Sequence, residues 1–255
     1  LTFPGKDRYS GDHQIIMCTT LELFPPFVAR SSIEAPLLGL HQIYEEIDRA
    51  QERWIAQSPY RCPSGCGSCC ERFEPDLLDV EALYLAAWML RHQTQRLDTL
   101  DWSSNPSGCP LYDPHNPHHC TVYEGRPLVC RLFAFSGDRG KDGSIRYRPC
   151  KFMPPVPGAQ TGSLDQGTLE ALYGATPPAM GDLAGQAALL IPDRSDDRLP
   201  LREALQKALA KLRHLGDLSS SSAFGLAPSE DTGPDGGRDN GGGNDNDDAP
   251  LPQAS

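Results

Sequence analysis

The sequence predicts a mainly α protein whose centre is an irregular, loop-rich cysteine cluster flanked by helices, with room for one short β-hairpin. Three observations carry this. Apolar residues recur at helical spacing in three stretches, 33–57, 79–96 and 199–215. Eight of the nine cysteines fall between residues 62 and 150. Proline and glycine interrupt the chain around those cysteines so often that no long regular element fits.

Residues 1–32 show no clear period. Leu40, Ile43, Ile47, Ala50 and Trp54 then line one face of a helix from Ile33 to Gln57, with Glu45, Glu46, Asp48, Glu52 and Arg53 towards water, and Pro59 stops it. This helix is expected to pack as a support for the cysteines. A second helix is expected over Asp79–Arg96, with Asp79 as its N-cap and Leu83, Ala87 and Leu90 as its core stripe. Residues 101–120 read as loop. Pro127 suits the first position of a short helix carrying LVCRLF. GDRGKDG reads as a turn, and the hairpin expected around it pairs LFAFS with SIRYR. PPVPG at 154–158 is a linker-like break. Helices follow near Leu164–Tyr173, Met180–Leu190 and Leu199–Leu215, the last ended by Gly216.

These readings divide the chain into an irregular segment (1–32), a cysteine-cluster domain (33–155), a helical extension (156–216) and an acidic tail (217–255). The tail has eight acids, one base and almost nothing to bury, so disorder is expected there. It carries −7 of the net −11, which leaves −4 on the rest. Such a balance argues against a nucleic-acid partner. No apolar run approaches the roughly 18 residues needed to cross a bilayer. The N-terminal residues lack a signal peptide's apolar region, and a cytoplasmic location is expected.

In that compartment clustered thiols favour metal over disulfides. The pattern is Cys62-x3-Cys66-x2-Cys69-Cys70, then Cys109-x10-Cys120-x9-Cys130-x19-Cys150. Gly65 and Gly67 are expected to allow, by positive φ, the turn that aims two sulfurs at one ion. Cys66 can share a helical face with Cys69 or Cys70. The adjacent Cys69 and Cys70 point in different directions, which is best explained by two metals, or by a polynuclear cluster plus a second site. Four-thiolate sites suit zinc or iron, a [4Fe–4S] cluster included. Cys18 lies outside the group and reads as a small buried hydrophobe, as Cys150 in part does.

Residues 120–151 hold seven bases against three acids inside an acidic chain. Zinc bound by four thiolates carries about −2, and burying that charge calls for cations or N–H donors. Arg126 and Arg131 are the first candidates to stand behind the sulfurs; a solvated basic face and capture of an anionic substrate are the alternatives. His115, His118 and His119 precede Cys120. Imidazole is a good ligand, although a proline-rich loop often leaves histidine exposed.

CPSGCGSCC at 62–70, CPLYD at 109–113 and CTVYEGRPLVCRLF at 120–133 together resemble the YkgJ-type cysteine-cluster family, a zinc- or iron-chelating domain with a CxxCxxCC signature. Its later element falls on Cys120, Val122, Tyr123, Arg126, Pro127, Cys130, Arg131 and Phe133. The chain departs from it in having three residues between Cys62 and Cys66, where the signature has two, and in the HNPHH insert. The resemblance implies a bound zinc or iron centre. One branch looks like the flagellin lysine methylases, which use S-adenosylmethionine.

Cys62, Cys66 and Cys69 also fit the radical S-adenosylmethionine spacing. Ser68 stands where an aromatic is usual there, and no alternating strand–helix pattern accompanies it. Three functions follow: a metal-binding cysteine-cluster protein, an S-adenosylmethionine-dependent modifier of protein side chains, or an adaptor for a protein partner. The absence of a strand followed by a glycine-rich turn favours the first over the second.

Overall fold

A computed structural model describes residues 20–64, 66–153, 162–192 and 198–223. Cys18, Gly65, the PPVPG segment and the tail beyond 223 lie outside the described residues.

The fold is mainly α with a few short antiparallel strands. A short helix α1 (Thr20–Leu23) and a 3-10 turn lead to α2 (Glu34–Gln57). The predicted stripe of α2 is buried at Leu40, Ile43, Ile47 and Trp54, and Leu37, Tyr44 and Gln51 join it. Next come α3 (Ser68–Glu71), strand β1 (Asp76–Leu78) and α4 (Asp79–His92). Helix α4 is buried almost all round, from Val80 to Ala87 and again at Met89, as befits the central helix of the core. Its N-cap is Leu78 and Asp79 is its first residue; Glu81 accepts a hydrogen bond from the Leu78 N–H at 3.1 Å. The helix breaks at Gln93, so the expected single span becomes α4 and a short α5 (Thr94–Leu97).

Helix α6 (Leu128–Leu132) is the short helix expected after Pro127, with Pro127 as its cap. The hairpin lies later than expected. Strand β2 (Asp138–Arg139) pairs with β3 (Ile145–Tyr147), while LFAFS completes α6 and turns away. The physical reason is Tyr147, whose hydroxyl donates to the Ala134 carbonyl at 3.0 Å and ties that stretch down by its side chain rather than by a ladder. Strand β4 (Leu164–Asp165) adds to β3, and α7 (Gln166–Tyr173) follows. Leu164 is thus a strand residue, and Asp165 caps the helix by accepting from the Thr168 N–H. Gly174, at φ 66, ends it in the left-handed conformation.

Helix α8 (Met180–Ala188) precedes β5 (Arg198–Pro200), which pairs with β1, and α9 (Leu201–Ala223). Leu199 is therefore in a strand, and Gly216 does not end the helix. The Ser219 and Ser220 hydroxyls donate to the Gly216 carbonyl at 2.8 and 3.0 Å, and the backbone continues helically through the serine run.

Two cores result. The larger joins α2, α4, α6, α8 and α9, with Leu201, Leu205, Leu209 and Leu212 of α9 buried along α4. The smaller gathers Trp54, Tyr60, Ile145, Tyr147, Leu164 and Leu169. Helix α2 belongs to both, through Leu40 and Ile47 in the first and Trp54 in the second. Among the described residues no helix is long and apolar enough to cross a membrane.

Candidate metal centre

Five of the eight described cysteines pack against one core or the other. Cys70, Cys109 and Cys120 pack against the larger one, and Cys62 and Cys150 against the smaller. All eight described cysteines are free thiols.

Local structure explains how distant positions meet. Cys69 and Cys70 lie on α3, which starts at Gly67. Gly67 has φ −110, so it is not there for positive φ. Its need is space: a Cβ at this position would stand 2.6 Å from Cβ and Cγ of His119. The Cys109 N–H donates to the Cys70 carbonyl at 3.1 Å, which joins the second cysteine segment to the first. The loop from Cys109 to Cys120 closes on itself through a bridge between Tyr112 and Cys120, with the Thr121 N–H donating to the Leu111 carbonyl. Cys130 rides on α6, whose first N–H, at Leu128, donates to the buried Glu81 carboxylate at 2.8 Å. Cys150 follows β3 in the smaller core.

Electrostatics sorts the thiols into two neighbourhoods. Burial pushes the Cys62 thiol up to about 11, and the nearby sulfurs of Cys150, Cys66 and Cys69 add to it. Burial pushes Cys109 up to about 12, with Cys120 and Glu74 contributing. Cys130 is raised well above the ordinary value by burial, then by Cys109 and Cys120. The two sets meet at one point. The Sγ atoms of Cys69 and Cys70 are 3.9 Å apart. Their mutual S–H contact holds Cys69 down to about 7, Arg126 assisting, and raises Cys70. Cys70 in turn feels Cys130 and Cys120. Cys62 is thus grouped with Cys150, Cys66 and Cys69, and Cys109 and Cys130 with Cys120, while Cys69 also raises Cys120 and so links the two groups.

The donor chemistry fits zinc or iron: eight free thiols, Cys109 buried and the others half-buried. Among the described residues no group of three or more His, Cys, Asp or Glu side chains stands ready to hold an ion.

The two candidate arginines have different placements. Arg131 is buried over the Tyr44 ring, at 4.2 Å, and its donors go to Asp48 and to the carbonyls of Glu124 and Arg126. Arg126 lies 3.8 Å over the Tyr123 ring, and its charge lowers the Cys69, Cys120 and Cys130 thiols. Its Nη1 donates to the Tyr123 carbonyl, and its buried Nε has no hydrogen-bond partner among the described residues.

Two further cations reach the thiols that sequence reasoning did not single out. Arg96 favours the ionised form of Cys120, and Arg202 that of Cys109. Arg202 comes from α9, far along the chain. It donates to the Gly108 carbonyl at 3.1 Å and pairs with Glu74 at 3.6 Å, which holds the loop before Cys109. Nothing in the sequence around Arg202 marks it, because its partners, Glu74 and three backbone carbonyls, lie far back in the chain. Of the three histidines, His115 and His118 are exposed, and His119 is half-buried against Gly67.

Residues 61–151 match the family described as CxxCxxCC, a putative zinc- or iron-chelating domain. No curated protein and no solved structure matches the chain.

Proposed function

With residues 61–151 carrying the CxxCxxCC domain, we propose that the protein binds zinc or iron in two separate thiolate centres and that this binding holds its middle together. One centre draws on Cys62, Cys66, Cys69 and Cys150, and the other on Cys70, Cys109, Cys120 and Cys130. The reading is carried by a single observation: the Cys62 thiol is raised by Cys150, Cys66 and Cys69, and the Cys130 thiol by Cys109 and Cys120, two groups that share no member. Cys62 and Cys150 pack against the smaller core, and Cys70, Cys109 and Cys120 against the larger. A bound centre of this kind supplies cross-linking between distant loops, or an electron-transfer site if it holds iron and sulfide.

The residues around the sulfurs have matching tasks. Arg126 offsets thiolate charge from the 120–133 segment, and Arg202 positions the loop before Cys109. The Cys66 S–H directs itself to the Ser68 hydroxyl at 3.7 Å, an interaction that deprotonation would reverse. Anaerobic purification with metal and acid-labile sulfide analysis tests the proposal. Two centres per chain support it, and a chain that folds without metal and takes up none refutes it.

A further inference from the structure

We propose that His119 supplies a nitrogen ligand, through Nδ1, to the centre of Cys66 and Cys69 at the CGSCC loop, where it takes the place of one of the four thiolates and makes that centre a mixed sulfur–nitrogen site. The proposal rests on the metal-binding reading above and adds a ligand from outside the cysteine pattern.

Among the buried nitrogens that have no hydrogen-bond partner among the described residues are Nδ1 of His119 and the Nε atoms of Arg126 and Arg202, all three on residues near the cysteines. Buried polar atoms are nearly always paired, so each orphan calls for a partner. Their needs are complementary. The guanidinium N–H seeks an anion, and an imidazole nitrogen with a free lone pair seeks a cation. A metal ion bound by thiolates offers both at once.

The imidazole is held against the CGSCC turn. Its Cβ and Cγ press on Gly67, between Cys66 and Cys69, so closely that any side chain at 67 would displace it. Tyr112 stacks on the ring, with centroids 5.9 Å apart and planes 14° from parallel. The His119 backbone has φ 51, in the left-handed region that few non-glycine residues adopt. Its neighbour His118 is exposed and stacks on Tyr123 instead, at 4.1 Å. Only His119 of the three therefore combines burial, an unpaired nitrogen and contact with the cysteine turn.

The test uses the full chain loaded with Co(II) and examined by X-ray absorption and by its visible cobalt–thiolate spectrum. The expected shell contains sulfur plus one imidazole per chain, in the wild type and in His118→Ala. The imidazole contribution disappears in His119→Ala, and cobalt affinity falls at least tenfold. His119→Gln, which keeps a polar side chain of similar reach, replaces the alanine variant if that fails to fold. A shell of sulfur alone in the wild type, or an imidazole signal that survives replacement of His119, overturns this proposal and leaves metal binding intact. A chain that binds no cobalt overturns both.

Discussion

Cys69 and Cys70 share a peptide bond and a 3.9 Å sulfur contact; Cys69 acts on both Cys62 and Cys120, while Cys70 is acted on by Cys69, Cys130 and Cys120. Cys70 packs against the larger core, and Cys62 and Cys150 against the smaller. Replacement of Cys62 or Cys150 by serine is expected to remove one centre and leave the other, as is replacement of Cys109 or Cys130. Metal-to-protein ratios measured on each single variant, and on Cys62→Ser combined with Cys109→Ser, check this. The combined variant is expected to hold none.

Reactivity follows from the same contact. Without metal, Cys69 is held down to about 7 by the Cys70 S–H, while burial pushes Cys62 up to about 11 and Cys109 up to about 12. The thiolate is the nucleophile. A limiting dose of iodoacetamide at pH 7.5, given in the presence of chelator, is therefore expected to label Cys69 before Cys62 or Cys109, as read by peptide mass mapping.

Stability in chelator also has a direction. Cys62 and Cys109 stay protonated in the folded chain beyond the ordinary thiol value of 9.0. Their contribution is full below pH 9 and is lost as pH rises towards about 11 and about 12, because the unfolded chain ionises first. Denaturant midpoints at pH 8 and pH 10.5 are expected to show the loss. Metal binding has the opposite slope, since each ligand must give up a proton.

Arg126 and Arg131 separate on mutation. Arg131→Ala strips donors from Asp48 and two carbonyls in a buried site, and is expected to cost about 3 kcal/mol. Arg126→Ala is expected to weaken metal binding more than it lowers the melting temperature of the metal-free chain. Equal effects of the two variants on both quantities would contradict this division of labour.

Glu81 is the internal fastener of the cysteine region. Its two carboxylate oxygens accept the Leu78 N–H at the start of α4 and the Leu128 N–H at the start of α6. Glu81→Ala leaves both donors buried and unpaired, for an expected loss of about 3 kcal/mol. Glu81→Gln keeps one acceptor and is expected to lose less. Urea unfolding of the two variants measures the difference.

Much of this was legible in the sequence. The stripe of α2 is readable because Leu40, Ile43, Ile47 and Trp54 face one core each in helical period. The cysteine pattern and its family resemblance located the matched segment. What local pattern could not supply was set by contacts from elsewhere. Gly216 resembles a helix end, but Ser219 and Ser220 bond back to it. Leu199 resembles the first residue of a helix, but it pairs with Leu77. Arg131 resembles a partner for sulfur, but Tyr44 and Asp48 on α2 claim it. Arg202 carries no local signal, since its work is done on carbonyls about ninety residues earlier in the chain.

The most direct measurement is native mass spectrometry of the anaerobically purified chain beside its Cys69→Ser and Cys70→Ser variants. Two bound centres in the parent are expected, with one lost from each variant and the other retained. A single centre abolished by both replacements would show that the neighbouring sulfurs serve one site.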